Sequence, residues 1–354
     1  VTVVRRRRAE KESESARERR RPDSTTKQTR ANRGSDRHPR DHRNPQAVAT
    51  AEQEPGGPAS SDEWSRLQEV VAGRYLIEQE IGKGAMGIVY LATDIALDRP
   101  VAIKMLRPEF AERSVYRERF LLEARTAARL SHPNIVPIHL VEDRDDVVFF
   151  VMQYLDGETL AEAVERAGPL DPDDAVKVMQ EVAWALAHAH AHGVVHRDIK
   201  PENVVIDRAT GRAIVTDFGI AHHSGSARMT GAGEVVGTAY FMSPEQAAGD
   251  TVDARSDIYS LGATMFFALS GSVPFEAPTI PQILAMHNIR EPPPLRSVRP
   301  SVPRRVAEIV HRCMAKAPDD RFPSADTLAA RLGDLRSARL QMAPEIRNFL
   351  RTAH

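Results

Sequence analysis

The sequence predicts an α+β chain in which an antiparallel β-sheet region precedes a mostly helical one. Three observations carry this. From Tyr75, "YLIEQEIGKGAMGIVYLATD" and then "VAIKML" give three β-branched, apolar runs separated by a Gly-rich turn and by "DIALDRP", the pattern of a meander. Further on, "DPDDAVKVMQEVAWALAHAHAHG" carries helix signals at both ends: Asp171 as cap, Pro172 in the first turn and Gly193 as stop. The apolar run Leu261 to Phe275 is too short to span a bilayer and reads as a buried core helix.

The elements are taken here in chain order. A chain of 354 residues fits one large domain or two smaller ones. Residues 1–62 carry 15 Lys/Arg against 10 Asp/Glu, a net of +5 that leaves −6 for the remainder. They lack apolar periodicity, so they are expected to be disordered. The basic excess suits an anionic partner such as nucleic acid, a membrane surface or an acidic protein. The interleaved acids favour a solubilising or regulatory tail instead. "PGGPASSD" leads into a linker over 63–73, and order begins near Trp64. The chain opens on Val1, which fits a fragment or a mis-assigned start, and "RRRR" leads into charge, so no signal peptide is expected. Cys313 is the single cysteine, which excludes an intrachain disulfide and a cysteine-rich zinc site.

Gly82, Gly84 and Gly87 spell G-x-G-x-x-G. A dinucleotide fold would lead this motif into a helix; here it leads into "IVYLA". Two readings stay open on the glycines alone: a hairpin whose backbone amides close over phosphates, or an ordinary glycine turn. Lys104 sits inside the apolar strand "VAIKML", where an unpaired ammonium is costly. "RERFLLEARTAARLSHPNIV" reads as a helix ending before His132 and Pro133. Phe120, Ala124 and Ala127 share one face, and Glu123 falls within that stripe. A Lys104–Glu123 pair is the expectation; a partly exposed glutamate at the stripe edge is its rival.

"VVFFVMQYLDGETL" reads as strand and turn. "HRDIKPENVV" (His196 to Val205) and "VTDFGIA" (Val215 to Ala221) then follow in order. With "GKGAMGIVY", "VAIK", "GTAYFMSPEQ", "DARSDIYSLG" and "APDDRFPSADTLAARL", they resemble the protein kinase family over Gly73 to about Arg336. The detailed wording is most similar to bacterial Ser/Thr kinases of the eukaryotic (Hanks) type. The resemblance implies a two-lobed kinase fold. A sheet-rich lobe over 74–154 carries one main helix, a helical lobe covers 155–336, and ATP lies in the cleft. Residues 337–354 are expected to form a helix-like tail.

By the same resemblance, Asp198 is the catalytic base, Lys200 neutralises the γ-phosphate, and Thr238, after Gly237, contacts both. Lys104, oriented by Glu123, holds the α- and β-phosphates. Asn203 and Asp217 bind magnesium, for which manganese can substitute. Ile81, Gly82, Lys83, Gly84, Ala85, Gly87, Val89, Ala102, Met152, Gln153 and Leu155 line the ATP pocket. Met152 gates its back, and Gln153 stands where an acidic residue is common. Asp257 braces the catalytic loop, and Glu245 and Arg321 form a buried ion pair; serine in "SPE" replaces the more general alanine. Arg197 before Asp198 implies switching by phosphorylation of the activation loop, with Thr230 first and Ser224 and Ser226 as further sites. Expected partners are protein substrates and the chain itself, by autophosphorylation in a homodimer. The expected location is the cytoplasm, with membrane attachment only if the chain is a fragment.

Two rivals are weighed. A pseudokinase would have lost the lysine or the catalytic carboxylates, yet Lys104, Asp198, Asn203 and Asp217 all stand. A small-molecule kinase of related fold generally lacks the "GT…SPE" segment found here. A last question is "AHAHAHGVVHRD", with four histidines in twelve residues. His188 and His192 lie four apart on the face of Glu181 and Trp184 and read as solvated. His190 points elsewhere and reads as packing. His196 belongs to the catalytic loop and should support "DFG".

Overall fold

The structure is a computed structural model and describes residues 61–84, 86–218 and 237–340. The Arg-rich segment up to residue 60, Ala85, the loop 219–236 with Ser224, Ser226 and Thr230, and the end from 341 lie outside the described residues.

The first element departs from expectation. Residues expected as linker form helix α1 (Ser61–Val71), packed against the sheet that follows. The sheet comprises β1 (Tyr75–Lys83), β2 (Gly87–Asp94), β3 (Arg99–Leu106), β4 (Ile138–Arg144) and β5 (Val147–Gln153), all antiparallel in the order β1-β2-β3-β5-β4. The pairing register assigns each residue a face. Ile88, Met105 and Phe149 lie in one cross-strand row and Tyr90, Ile103 and Val151 in another; all six are buried. Among the described residues, a helix covers this face. α1 does so with fully buried Leu67 and nearly buried Val71, and Trp64 meets Tyr90 edge to face at 5.6 Å. Gln68 also serves the outer rim of β1: it accepts the Ile77 N–H at 3.2 Å and reaches the Tyr75 carbonyl at 3.5 Å. The reason is apolar area. A sheet of Val, Ile and Phe buried on both faces needs a second covering layer.

The opposite face carries Val89, Ala102, Lys104, Phe150 and Met152. It packs on α3 (Ser114–Ala127), which follows the short α2 (Pro108–Ala111). Phe120 of α3 meets Phe150 at 5.2 Å, and Val205 and Ile214 of the next lobe join the same apolar cluster.

The second lobe is helical around a small sheet. It comprises β6 (Gly157–Thr159), α4 (Leu160–Ala167), α5 (Pro172–Ala191), β7 (Val204–Asp207), β8 (Ala213–Val215), α6 (Pro244–Ala248), α7 (Ala254–Ser270), α8 (Ile280–Ile289), α9 (Leu295–Val298), α10 (Arg304–Cys313) and α11 (Ala325–Leu340). α5 starts as its sequence dictates: Asp171 accepts the Asp173 N–H at 2.9 Å and Pro172 opens the first turn. α7 is buried on nearly every side, against α5 and α10. Gly262 makes the α10 crossing close, since a Cβ there would sit 2.7 Å from Cys313 Cβ. Among the described residues, no helix is long and apolar enough to cross a membrane.

Candidate active site

The cleft between the lobes is roofed by the β1–β2 hairpin. Gly84 N–H donates to the Gly87 carbonyl at 2.8 Å and closes its tip. A Cβ on Gly87 would lie 2.9 Å from the Met105 carbonyl oxygen, so only glycine fits without displacing β3. Lys83 is exposed, Ile81 and Gly82 half-buried, and Gly84 and Gly87 buried. Val89, Ala102, Met152 and Leu155 are buried in the cluster that spans the two lobes, while Gln153 is exposed and its N–H is bound to the Pro137 carbonyl. A narrow cavity behind Met152 is lined by Glu123, Ala127, Phe150, Asp217 and Phe218.

Lys104 leaves β3 on the cleft face and bonds Asp217 Oδ1 at 2.7 Å. This corrects the expected Lys104–Glu123 pair: Lys104 takes Asp217, and Glu123 feels its charge only at longer range. The two carboxyls differ in acidity as a result. Burial pushes the Glu123 carboxyl up to about 7, with Lys104 opposing and Asp217 and Asp198 adding to the rise. Burial also acts against Asp217, but the positive charges around it, Lys104 foremost and Lys200 among them, together bring that carboxyl down to about 2. Lys104 thus keeps its partner carboxylate ionised. Asp217 holds a left-handed backbone, φ 52°, which is uncommon for a residue with a Cβ.

The loop after α5 builds the opposite wall. Asn203 donates through Nδ2 to the Asp198 carbonyl at 2.7 Å and to Asp198 Oδ2 at 3.0 Å. Lys200 Nζ lies 3.0 Å from Asp198 Oδ2 and 2.8 Å from Thr238 Oγ1, and Thr238 Oγ1 donates to Asp198 Oδ1 at 3.3 Å. Asp198, Lys200, Asn203 and Thr238 thus meet at one carboxylate. The Lys200 charge also reaches Asp217, so the two clusters adjoin.

Beneath them stands Asp257, fully buried in the first turn of α7. It accepts the His196 N–H at 2.8 Å and the Arg197 N–H at 2.7 Å. His190 Nε2 completes its shell at 2.7 Å, so His190 does more than pack. The available signal was a ring aimed at a buried face, where a polar group needs a partner. His196 bonds the Thr216 carbonyl at 3.0 Å and stacks on Phe218 at 4.5 Å. Further down, Glu245 and nearly buried Arg321 meet twice, at 2.7 and 2.8 Å, and Ser256 donates to the same carboxylate.

His192 and Trp184 are exposed, as read, whereas His188 is half-buried. His188 stacks between His132, at 5.3 Å, and His192, at 4.5 Å. Glu181 is buried and accepts the Ala213 N–H at 2.7 Å. Among the described residues, no group of three or more His, Cys, Asp or Glu could hold a metal ion. The oxygens of Asp217 and Asn203 have the hard-donor character that magnesium takes. The Asn203 amide nitrogen is committed to Asp198, which leaves its carbonyl oxygen as the ligand-type atom.

An antiparallel sheet roofed by a glycine hairpin, a strand lysine on a buried aspartate, and a loop Asp-Lys-Asn set below make up a cleft of the protein kinase fold. The family model for the protein kinase domain matches residues 75–331, and the chain belongs to that family. Serine/threonine-protein kinase PrkC of Bacillus subtilis is 43% identical over 260 residues, 73% of this chain and 40% of that protein. PknH of Mycobacterium tuberculosis is 38% identical over 257 residues, 73% of this chain and 41% of its own. The chain therefore spans about two fifths of the length of these curated relatives. Among solved structures, the PknI kinase domain of Mycobacterium tuberculosis superposes with TM-score 0.58 at 30% identity, covering 74% of this chain and 96% of that one.

Proposed function

We propose that this chain transfers the γ-phosphate of ATP to serine and threonine hydroxyls of proteins, itself included. The observation that carries the reading is the Asp198 carboxylate, bound at once by Asn203, Lys200 and Thr238 beside the Lys104–Asp217 pair. Phosphoryl transfer needs positioning and charge stabilisation more than covalent chemistry, and this set supplies both. Asp198 accepts the proton of the incoming hydroxyl. Lys200 lies beside it, where its charge meets the phosphoryl group in transfer. Lys104 takes the α- and β-phosphates under the glycine hairpin, and the segment from Met152 to Leu155 seats adenine. Asn203 and Asp217 would hold magnesium, or manganese in its place, which would offset the charge of the phosphates. Thr230, Ser224 and Ser226 are the proposed acceptors in the chain itself, and Arg197 the proposed receiver of that phosphate. Cytoplasmic action belongs to the same proposal.

The test is radiolabel transfer from ATP to myelin basic protein and to the protein itself, with magnesium and with manganese. Lys104→Met and Asp198→Asn should each lower transfer by about a hundredfold or more. A wild-type protein that moves no label with either metal would instead be a nucleotide-binding scaffold. Mass spectrometry of wild type against Asp198→Asn then maps the acceptors, and an unmodified 219–236 loop in an active enzyme removes Thr230 from the account.

A further inference from the structure

Arg197, the residue before Asp198, holds a left-handed backbone with φ 67°. A side chain with a Cβ rests there only where its surroundings compensate the strain. Its N–H is bound by Asp257 at 2.7 Å. Its carbonyl points the other way and receives Gln246 Nε2, also at 2.7 Å. The peptide between Arg197 and Asp198 is therefore held at both polar atoms, because the Asp198 N–H donates to His196 Nδ1 at 3.2 Å. Gln246 is itself fixed. Its Oε1 accepts the Ser243 N–H at 3.1 Å, and its own N–H donates to Ser243 Oγ at 3.3 Å, a reciprocal cap on α6. With the oxygen committed to Ser243, only the NH₂ can face the Arg197 carbonyl, so one amide orientation satisfies both neighbours.

We propose that Gln246 is a positioning residue for phosphoryl transfer, and that its carboxamide sets the plane of the peptide that carries Asp198. One side chain thereby joins the start of α6, a few residues beyond Thr238, to the carboxylate that accepts the substrate proton. The inference rests on the kinase reading of the cleft. It predicts that what matters at position 246 is a hydrogen-bond donor, not bulk or helix capping.

Gln246→Glu separates the two. Glutamate keeps the size and still accepts the Ser243 N–H, so α6 stays capped. Ionised, however, it turns an oxygen toward the Arg197 carbonyl. Expected is a fall in kcat of about tenfold or more, with the KM for ATP little changed, since the displaced group is Asp198 and not the nucleotide pocket. Acidification restores a donor as the new carboxyl takes up its proton. The ratio of variant to wild-type kcat should therefore climb as pH falls from 8 to 5.5. Gln246→Ala, which offers no donor at any pH, should show a constant deficit. Wild-type kcat in Gln246→Glu across this range, or a deficit that acid does not relieve, would overturn the proposal. Absence of transfer by the wild-type enzyme run alongside would overturn the kinase reading itself.

Discussion

Lys104 bonds Asp217 while Glu123 lies within reach of its field, and the two carboxyls answer in opposite directions. Glu123 is raised from its ordinary 4.5 to about 7, so between those values the folded chain holds a proton that the unfolded chain has released. That proton contributes stability which is full below about 4.5 and is lost as pH climbs through 7. Glu123→Gln, which cannot ionise, should flatten this part of the melting-temperature profile between pH 5 and 8. Parallel profiles for variant and wild type would show that Glu123 ionises as an ordinary surface carboxyl. The sequence made Lys104 and Glu123 conspicuous, each a charge on an apolar stripe. It did not show which of two carboxyls the lysine would take, because that depends on burial by residues a hundred positions away. Arg321 makes a second case. Its guanidinium is nearly fully buried against Glu245 and the carbonyls of Ala315, Arg255 and Lys316. Arg321→Met would leave Glu245 buried without its cation, at a cost of about 3–5 kcal/mol in denaturant unfolding.

At the scale of elements, the meander and α5 were legible because their signals are local: period-two apolar runs, a glycine turn, an Asp-Pro start. α1 was not. Its anchors to the sheet include Trp64, Leu67 and Val71 with the polar Gln68, and it follows a long polar, proline-containing stretch. What stabilises it is the sheet face it covers, and that face exists only after β2, β3 and β5 have paired. Leu67→Ala removes a fully buried side chain from that contact and should lower stability by about 3 kcal/mol. A loss below about 0.5 kcal/mol would mean that the helix adds nothing to the lobe. The α7–α10 crossing is tight in the opposite sense. Gly262→Ala places a methyl 2.7 Å from Cys313 Cβ and should cost about 1–3 kcal/mol through displacement of α10. Equal melting temperatures would show that the crossing yields freely.

Across the whole molecule, the two lobes are tied by one apolar cluster as well as by the chain itself. Val205 and Ile214 of the lower lobe pack with Val89, Ala102 and Met152 of the upper. The kinase motifs read from the sequence fall along this seam, which is why so much of the candidate site was legible. Asp198, Asn203, Asp217 and Lys104 are recognisable by type and order. Of their supports, Asp257 and the Glu245–Arg321 pair were legible too, through the resemblance. His190 under Asp257 shows only in three dimensions, as does the histidine stack of His132, His188 and His192.

The family match begins at residue 75, yet α1, from Ser61, already packs on the sheet. β1 is the open border of a five-stranded sheet, with backbone groups turned outward that another chain could pair with. Gln68 occupies two of them, at Ile77 and Tyr75. A protein trimmed to start at residue 75 would keep Lys104, Asp198, Asn203 and Asp217 and still expose a bare strand border beside an uncovered apolar face. It should self-associate through that border as its concentration rises, and light scattering against the longer chain would register the difference.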